Sequence, residues 1–187
     1  PDHYSGGRGA AAVYNDLGLD VVGISGYFEL AGTPPNRVLS VAELETMWDT
    51  IFKTYLVPVR DRNPGKPILF TETGYTDDIN SPANAASNYA ASEPSYSDTN
   101  PTNGMVQQSN IYQSFYNVNE RYGDIVAGTF WWGNDYFPYN TMSCNQVDWS
   151  LNCRPAKTVV AANYAKWAAK DIDRVFAWAE HSLPQYF

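Results

Sequence analysis

The sequence has few of the residues that carry metal, triad or phosphate chemistry. Its 187 residues include two cysteines and two histidines, and the histidines lie near the two ends, at His3 and His181. Two cysteines with no histidine nearby do not make a zinc site, and no Ser/His/Asp triad can be assembled. The glycine-rich stretch 5–9 lacks the preceding strand of a dinucleotide-binding loop. We therefore expect no metal and no cofactor.

Basic residues and long apolar runs are also scarce. Lys and Arg number 12 against 20 Asp and Glu, which gives a formal net charge of −8. This charge argues against a nucleic-acid partner, because phosphate binding needs a basic face. No apolar run approaches the ~18 residues of a membrane span, so we expect none.

Apolar and aromatic residues, by contrast, are abundant. The chain is 44% hydrophobic and 15% aromatic, with 6 Trp, 14 Tyr and 8 Phe, which excludes a disordered chain. Flat rings beyond the needs of a core suit neutral polar ligands such as sugars, although Tyr and Trp also fill cores.

The two cysteines lie close together in a polar segment. The spacing of Cys144 and Cys153 favours a disulfide that closes a small loop; the alternative is two unrelated thiols. A disulfide implies an oxidising compartment. We therefore expect a secreted or extracellular protein, with the periplasm and the cell surface included.

Three apolar segments predict buried strands, and helical patterns follow each of them. The predicted strands are 19–28, 68–75 and 125–132, and the predicted helices are 41–56, 105–122, 154–170 and a short last helix 172–181. Ser40 and Glu43 form a capping-box pattern at the first of these helices. Alternation of strand and helix predicts a parallel sheet in an α/β fold.

The carboxyl ends of parallel strands meet at one edge, where sites in such folds lie. Glu72 ends the second strand and is either a nucleophile or general base, or a carboxylate held in a salt bridge. Tyr27, at the end of the first strand, either donates a hydrogen bond to Glu72 or packs on the loop. Trp131 and Trp132 end the third strand and should point to opposite faces. Either one of them stacks on a sugar while the other is core, or both are core tryptophans.

Acidic residues follow two of these strands. Asp135 is expected either to bind sugar hydroxyls or to cap a turn. Asp77 and Asp78 lack the ligand spacing of an EF-hand, so we interpret them as part of a solvated loop rather than a calcium site.

Together these segments resemble the C-terminal part of a retaining (β/α)8-barrel glycosidase, nearest to the β-mannanase-like glycoside hydrolase family 113. Segment 20–30 (DVVGISGYFEL) is similar to that family's sixth strand, and segment 66–75 (KPILFTETGY) to its seventh, whose Glu is the nucleophile. Segment 128–132 (GTFWW) resembles the eighth strand. Segment 154–156 (RPA) resembles the Lys-Pro-Ala that opens the last barrel helix.

The resemblance has departures. Gly26 stands where the family has a small Ala, and Glu29 where it has Pro. A retaining glycosidase needs a second carboxyl group, the acid/base, about 5–5.5 Å from the nucleophile. The family carries it after the fourth strand. No such strand is present here, so we expect the acid/base upstream of Pro1.

The resemblance implies a fold, a reaction and a set of site residues. The fold is α/β, the C-terminal portion (about strands six to eight) of a TIM barrel with long loops after the strands. Glu72 attacks the anomeric carbon, and the substrate-binding residues are Tyr27, Tyr75, Trp131, Trp132 and Asp135. The substrate is a β-linked polysaccharide such as mannan or β-glucan.

The domain prediction follows from the strand count. Residues 1–187 form one partial catalytic domain, with barrel units at about 15–170 and a C-terminal helix at about 171–187. The N-terminal part of the barrel is expected from the same or a separate chain, since a barrel needs eight units and ~250 residues. The isolated fragment is expected to be inactive. A non-catalytic carbohydrate-binding or structural protein on the same scaffold, and a flavodoxin-like binding module, are the alternatives.

Overall fold

The protein is an α/β unit built on a three-stranded parallel sheet. The computed structural model describes residues 18–85, 102–132 and 149–182, the segment 171–182 for its backbone alone. The strands are β1 (Val22–Ser25), β2 (Ile68–Thr73) and β3 (Val126–Trp131). The helices are α1 (Val41–Ile51), α2 (Val57–Arg62), α3 (Asn103–Arg121) and α4 (Ala156–Ser182), with a 3-10 turn at Ser81–Ala83. The predicted α/β class with parallel strands is confirmed.

The central strand of the sheet is β2. It pairs in parallel with β1 on one side and with β3 on the other. Register shifts interrupt both pairings near the carboxyl end, between Ile24 and Ser25 and between Phe70 and Thr73. Such irregularities re-aim side chains at the end of a strand. Here the re-aimed stretch includes Glu72.

Helix α1 begins at the predicted residue, but helical structure continues past the predicted end at residue 56, to Arg62. Ser40 and Glu43 form the expected capping box, with each side chain bonded to the other residue's backbone N–H. The chain then continues through a π-helical turn, Phe52–Leu56, into α2. Pro58 lies in the first turn of α2 and has no N–H to donate, which explains why the wider turn precedes it.

The last helix differs from its prediction. Two helices were expected, with a break near residue 171, but α4 is one helix from Ala156 to Ser182. No glycine or proline occurs within it, so nothing in the local sequence ends the helix between the two predicted segments. The expected separate C-terminal helix is therefore the continuation of α4.

The core lies between the sheet and helices α1 and α3. Its centre is aromatic: the ring of Phe115 is 5.2 Å from that of Trp48 and 5.6 Å from that of Phe70. Phe70 in turn lies 5.8 Å from Phe28, which follows β1. These fully or nearly fully buried rings join both helices to the two strands.

The opposite face of the sheet, called the uncovered face below, carries several exposed residues among those that the structure describes. Phe130 is 64% exposed, and Ser25 and Thr71 are exposed as well. On this face Gly128 leaves room for the side chain of Leu69 on the neighbouring strand. A Cβ on Gly128 would lie 3.1 Å from Leu69 Cδ2. Parallel sheets are ordinarily buried on both faces. An apolar residue as exposed as Phe130 is therefore unusual for such a sheet.

The capping box gives the fold a measurable pH dependence. The Arg37 guanidinium and the Ser40 backbone and hydroxyl hold the pKa of Glu43 at about 2. Because the pKa is lowered on folding, the stabilisation is present above the unfolded value and is lost as pH falls toward 2. We expect Glu43→Gln to lower the thermal midpoint modestly at pH 7 and to match the parent protein near pH 2.

The control for this prediction is Glu29→Gln, which removes another exposed carboxylate. Thermal unfolding of the three proteins at pH 7, 4 and 2 makes the comparison. A difference between Glu43→Gln and the parent that stays constant from pH 7 to pH 2 would contradict the assignment.

Candidate functional site

Residues from all three strands meet at the carboxyl edge of the sheet. Glu72 lies one residue before the end of β2, pairs in register with Ser25 of β1 and is half-buried. The half-buried phenol of Tyr27, two residues after β1, donates to Glu72 Oε2 across 3.5 Å. The expected contact is thus present, although it is long for a hydrogen bond between oxygens. A phenol in this position helps to orient the carboxylate.

Backbone hydrogen bonds hold Glu72 from both sides. The N–H of Gly26 donates to the Glu72 carbonyl at 2.6 Å, and the buried Thr73 hydroxyl donates to the Gly26 carbonyl at 2.8 Å. On the other side, the N–H of Trp132 donates to the Thr73 carbonyl at 2.6 Å. The carboxylate is therefore carried by a backbone with little freedom.

Gly26 packs closely against the core at the end of β1. A Cβ at this position would lie 3.0–3.2 Å from ring atoms of Phe70, which is fully buried. The family that the sequence resembles has alanine there. The departure fits the large ring that this chain places beneath the end of β1.

The two tryptophans point to opposite sides, as strand alternation predicts. Trp131 is 7% exposed, and its ring stacks on Tyr112 with the centroids 4.1 Å apart. Its indole N–H donates to the Tyr116 hydroxyl at 3.0 Å. Burial raises the pKa of Tyr116, so this hydroxyl stays protonated. Trp132 is 50% exposed and is the tryptophan that remains accessible to a ligand.

Tyr75 lies in the core rather than at the accessible edge. It is fully buried, and its hydroxyl donates to the Phe28 carbonyl at 2.6 Å. Its ring meets that of Trp48 edge-on at 6.1 Å. The structure leaves Tyr75 no surface for the expected substrate contact. It ties the loop after β2 to the loop after β1.

The two aspartates after β2 are buried, so their interpretation as a solvated loop is wrong. Asp77 Oδ2 accepts from Arg154 Nε at 2.9 Å, with side chains 3% and 0% exposed. Asp78 Oδ1 accepts from the Asn80 N–H at 2.6 Å. A buried charge needs a partner, and the partner is 77 residues away in sequence. In the described residues no group of three or more His, Cys, Asp or Glu is placed to hold a metal.

One aromatic residue near this edge has no counterpart among the predictions. Trp149 is half-buried, and its indole N–H donates to the Ala85 carbonyl at 3.2 Å. A Cβ on Gly74 would lie 3.0 Å from Trp149 Cδ1 and 3.4 Å from Trp132 Cβ. The only signal in the sequence is a tryptophan in a polar loop after β3.

The structure does not test the predicted roles of Asp135 and of the two cysteines. Asp135 and Cys144 lie outside the described residues. Cys153 lies in the turn before α4 with φ 59°. The disulfide between Cys144 and Cys153 stays a prediction.

A second carboxyl group is not assigned to Glu72. Most carboxylates of the described side chains have partners elsewhere: Glu43 with Arg37, Glu45 with Arg121, Asp49 with Lys53, Asp77 with Arg154 and Glu120 with Lys166. Glu72 itself is hydrogen-bonded to Tyr27. The described edge thus includes a half-buried carboxylate with a phenol beside it, and an exposed indole.

Comparison with protein-family models, with curated proteins and with solved structures finds no match to this chain. Among the described helices, none combines the length and the apolar character that a membrane crossing needs. The functional argument therefore depends on the geometry of the edge.

The ion pair between Asp77 and Arg154 should be a main determinant of stability at this edge. Arg154→Met leaves a buried carboxylate without its partner, which costs about 3–5 kcal/mol in comparable cases. We expect a loss of that size in the free energy of unfolding, measured by urea denaturation.

Lys166→Met provides the matched control, because the pair between Lys166 and Glu120 is exposed on both sides. Exposed pairs contribute about 0–1 kcal/mol. Should Arg154→Met cost no more than Lys166→Met, the buried pair is not what holds the loop after β2 to the start of α4.

Proposed function

We propose that this chain is part of a retaining glycoside hydrolase that acts on a β-linked polysaccharide such as mannan or β-glucan. The observation that carries the proposal is Glu72, a half-buried carboxylate at the carboxyl edge of a parallel sheet, hydrogen-bonded to the Tyr27 phenol. The exposed indole of Trp132 at the same edge supports a sugar ligand, because aromatic rings stack on the apolar faces of sugars.

The proposed mechanism is a double displacement. Glu72 attacks the anomeric carbon and forms a glycosyl-enzyme, while an acid protonates the leaving oxygen. Water, deprotonated by the same acid/base group, then attacks the anomeric carbon and releases Glu72. Tyr27 holds the carboxylate in position by its hydrogen bond, and Trp132 supports the sugar ring.

The acid/base residue is proposed to come from a barrel segment outside this chain. Its carboxyl group must come within about 5–5.5 Å of Glu72 in a retaining enzyme. The uncovered face of the sheet supports this, because Phe130 at 64% exposure presents apolar surface that further parallel strands of a barrel would bury. The proposed partners are thus a polysaccharide and the remaining barrel segment.

An exported location is part of the same proposal. A polysaccharide is an extracellular substrate, and a disulfide between Cys144 and Cys153 would form outside the cytoplasm. The formal charge of −8 is compatible with a neutral substrate.

Replacing Glu72 tests the nucleophile assignment. In the protein with its complete barrel, we expect Glu72→Gln to lower kcat on mannan or β-glucan by at least about 10³-fold, because the amide neither attacks nor leaves. Substrate binding should persist. Turnover is measured as reducing ends released, and binding by affinity electrophoresis in gels that contain the polysaccharide.

The matched control is Glu120→Gln, an exposed carboxylate near the C-terminus of α3, at the opposite end of the strands. It should leave turnover unchanged. With Glu72→Ala, added azide should restore turnover of an activated glycoside by replacing the carboxylate. Full activity of Glu72→Gln would refute the role. A parent protein that binds polysaccharide without cleaving it would favour the non-catalytic alternative.

Phe130 tests the proposed barrel. In the chain described here Phe130→Ser should change the free energy of unfolding by less than about 0.5 kcal/mol, because the ring is mostly exposed. In the protein with its complete barrel the same change should cost about 3–5 kcal/mol, the usual penalty for truncating a buried Phe.

Phe70→Ser serves as the control, since Phe70 is fully buried and should be costly in both contexts. Denaturant unfolding of each variant in both contexts provides the values. A small effect of Phe130→Ser in the complete protein would show that no strands cover this face.

A further inference from the structure

Gly74 brings two tryptophans together next to the candidate nucleophile. It is buried and follows Glu72 by two residues. A Cβ at this position would lie 3.0 Å from Trp149 Cδ1 and 3.4 Å from Trp132 Cβ. A side chain at this position would require Trp149 or the Cβ of Trp132 to shift by a few tenths of an ångström, so the two tryptophans approach the end of β2 from the same side as the missing Cβ.

Trp149 is held in place by contacts on two sides. Its indole N–H donates to the Ala85 carbonyl at 3.2 Å, and its own carbonyl accepts from Gln108 Nε2 at 3.4 Å. The same Gln108 nitrogen donates to the Tyr75 carbonyl at 2.9 Å. Gln108 is fully buried in α3. It therefore couples the backbone of Trp149 to the residue that follows Gly74.

A ring fixed in this way loses little conformational entropy when a ligand stacks on it. Its N–H is already bonded to a carbonyl, so what Trp149 has left for a ligand is the exposed part of a half-buried ring rather than a hydrogen bond. The neighbouring Trp132 is 50% exposed and adds a second indole. This combination fits the carbon–hydrogen face of a pyranose ring.

We propose that Trp149 and Trp132 form an aromatic subsite over Gly74 that binds one pyranose unit of an oligosaccharide beside Glu72. The proposal rests on the proposed function and names two residues that bind the substrate.

The test measures binding separately from turnover. The probes are β-1,4-linked manno- and gluco-hexasaccharides, titrated into the protein with its complete barrel in a Glu72→Gln background. Adding Trp149→Ala should weaken the binding of the preferred hexasaccharide by about tenfold, the upper range for one aromatic contact. Trp149→Phe keeps a ring and should weaken binding less than about threefold.

Trp167→Ala is the matched control. Trp167 is a half-buried tryptophan of α4 whose ring packs on those of Tyr116 and Tyr164, on the helix side of the sheet. It should leave hexasaccharide binding unchanged. Thermal unfolding of each variant identifies any loss that comes from misfolding, and Trp149→Phe then supplies the comparison.

The outcomes separate the subsite from the nucleophile. Equal binding by the Trp149→Ala and parent proteins, or binding of neither hexasaccharide, overturns the subsite. Turnover that survives Glu72→Gln overturns the nucleophile assignment and leaves the subsite standing if Trp149→Ala still weakens binding.

Discussion

The packing of Phe115 against rings from other elements organises this structure. From α3 its ring lies 5.2 Å from Trp48 of α1, 5.6 Å from Phe70 of β2 and 5.8 Å from Trp131 of β3. Phe115 is fully buried, so it excludes water from the junction of both helices with the sheet. The ring thereby determines which residues of β2 and β3 face the helices. Because successive strand residues point to opposite faces, the residues that alternate with these lie on the other face of the sheet.

This assignment determines where the chemistry of the edge lies. Because Trp131 packs under α3, Phe130 and Trp132 on either side of it are exposed. In β2, Phe70 points into the core and Thr71 is exposed, and the register shift before Thr73 then places Glu72 half-buried beside Tyr27. A carboxylate in this intermediate setting remains accessible to a substrate and is still oriented by a neighbour. Core packing and candidate site are therefore consequences of the same register.

Local patterns predicted much of this arrangement. The capping box at Ser40, the three strands and the opposite orientation of Trp131 and Trp132 depend on neighbours in sequence and follow from helix and strand periodicity. The ion pair between Asp77 and Arg154 could not be predicted in this way, because 77 residues separate its members. The position of Trp149 depends on the missing Cβ of Gly74 and on a carbonyl at Ala85, both distant in sequence.

The proposed glycosidase requires two further features, and both have one proposed source. Within the described residues, Phe130 is 64% exposed on the uncovered face of the sheet, and no second carboxyl group is assigned to Glu72 as its acid/base. In a closed barrel, strands on the far side fill the interior against such a face, and their carboxyl ends look across the mouth toward the strands described here. A retaining mechanism needs its acid/base on that far side, with the sugar between the two carboxyl groups. The same additional strands would therefore bury Phe130 and supply the acid. Burial of Phe130 and hydrolytic activity should accordingly appear together.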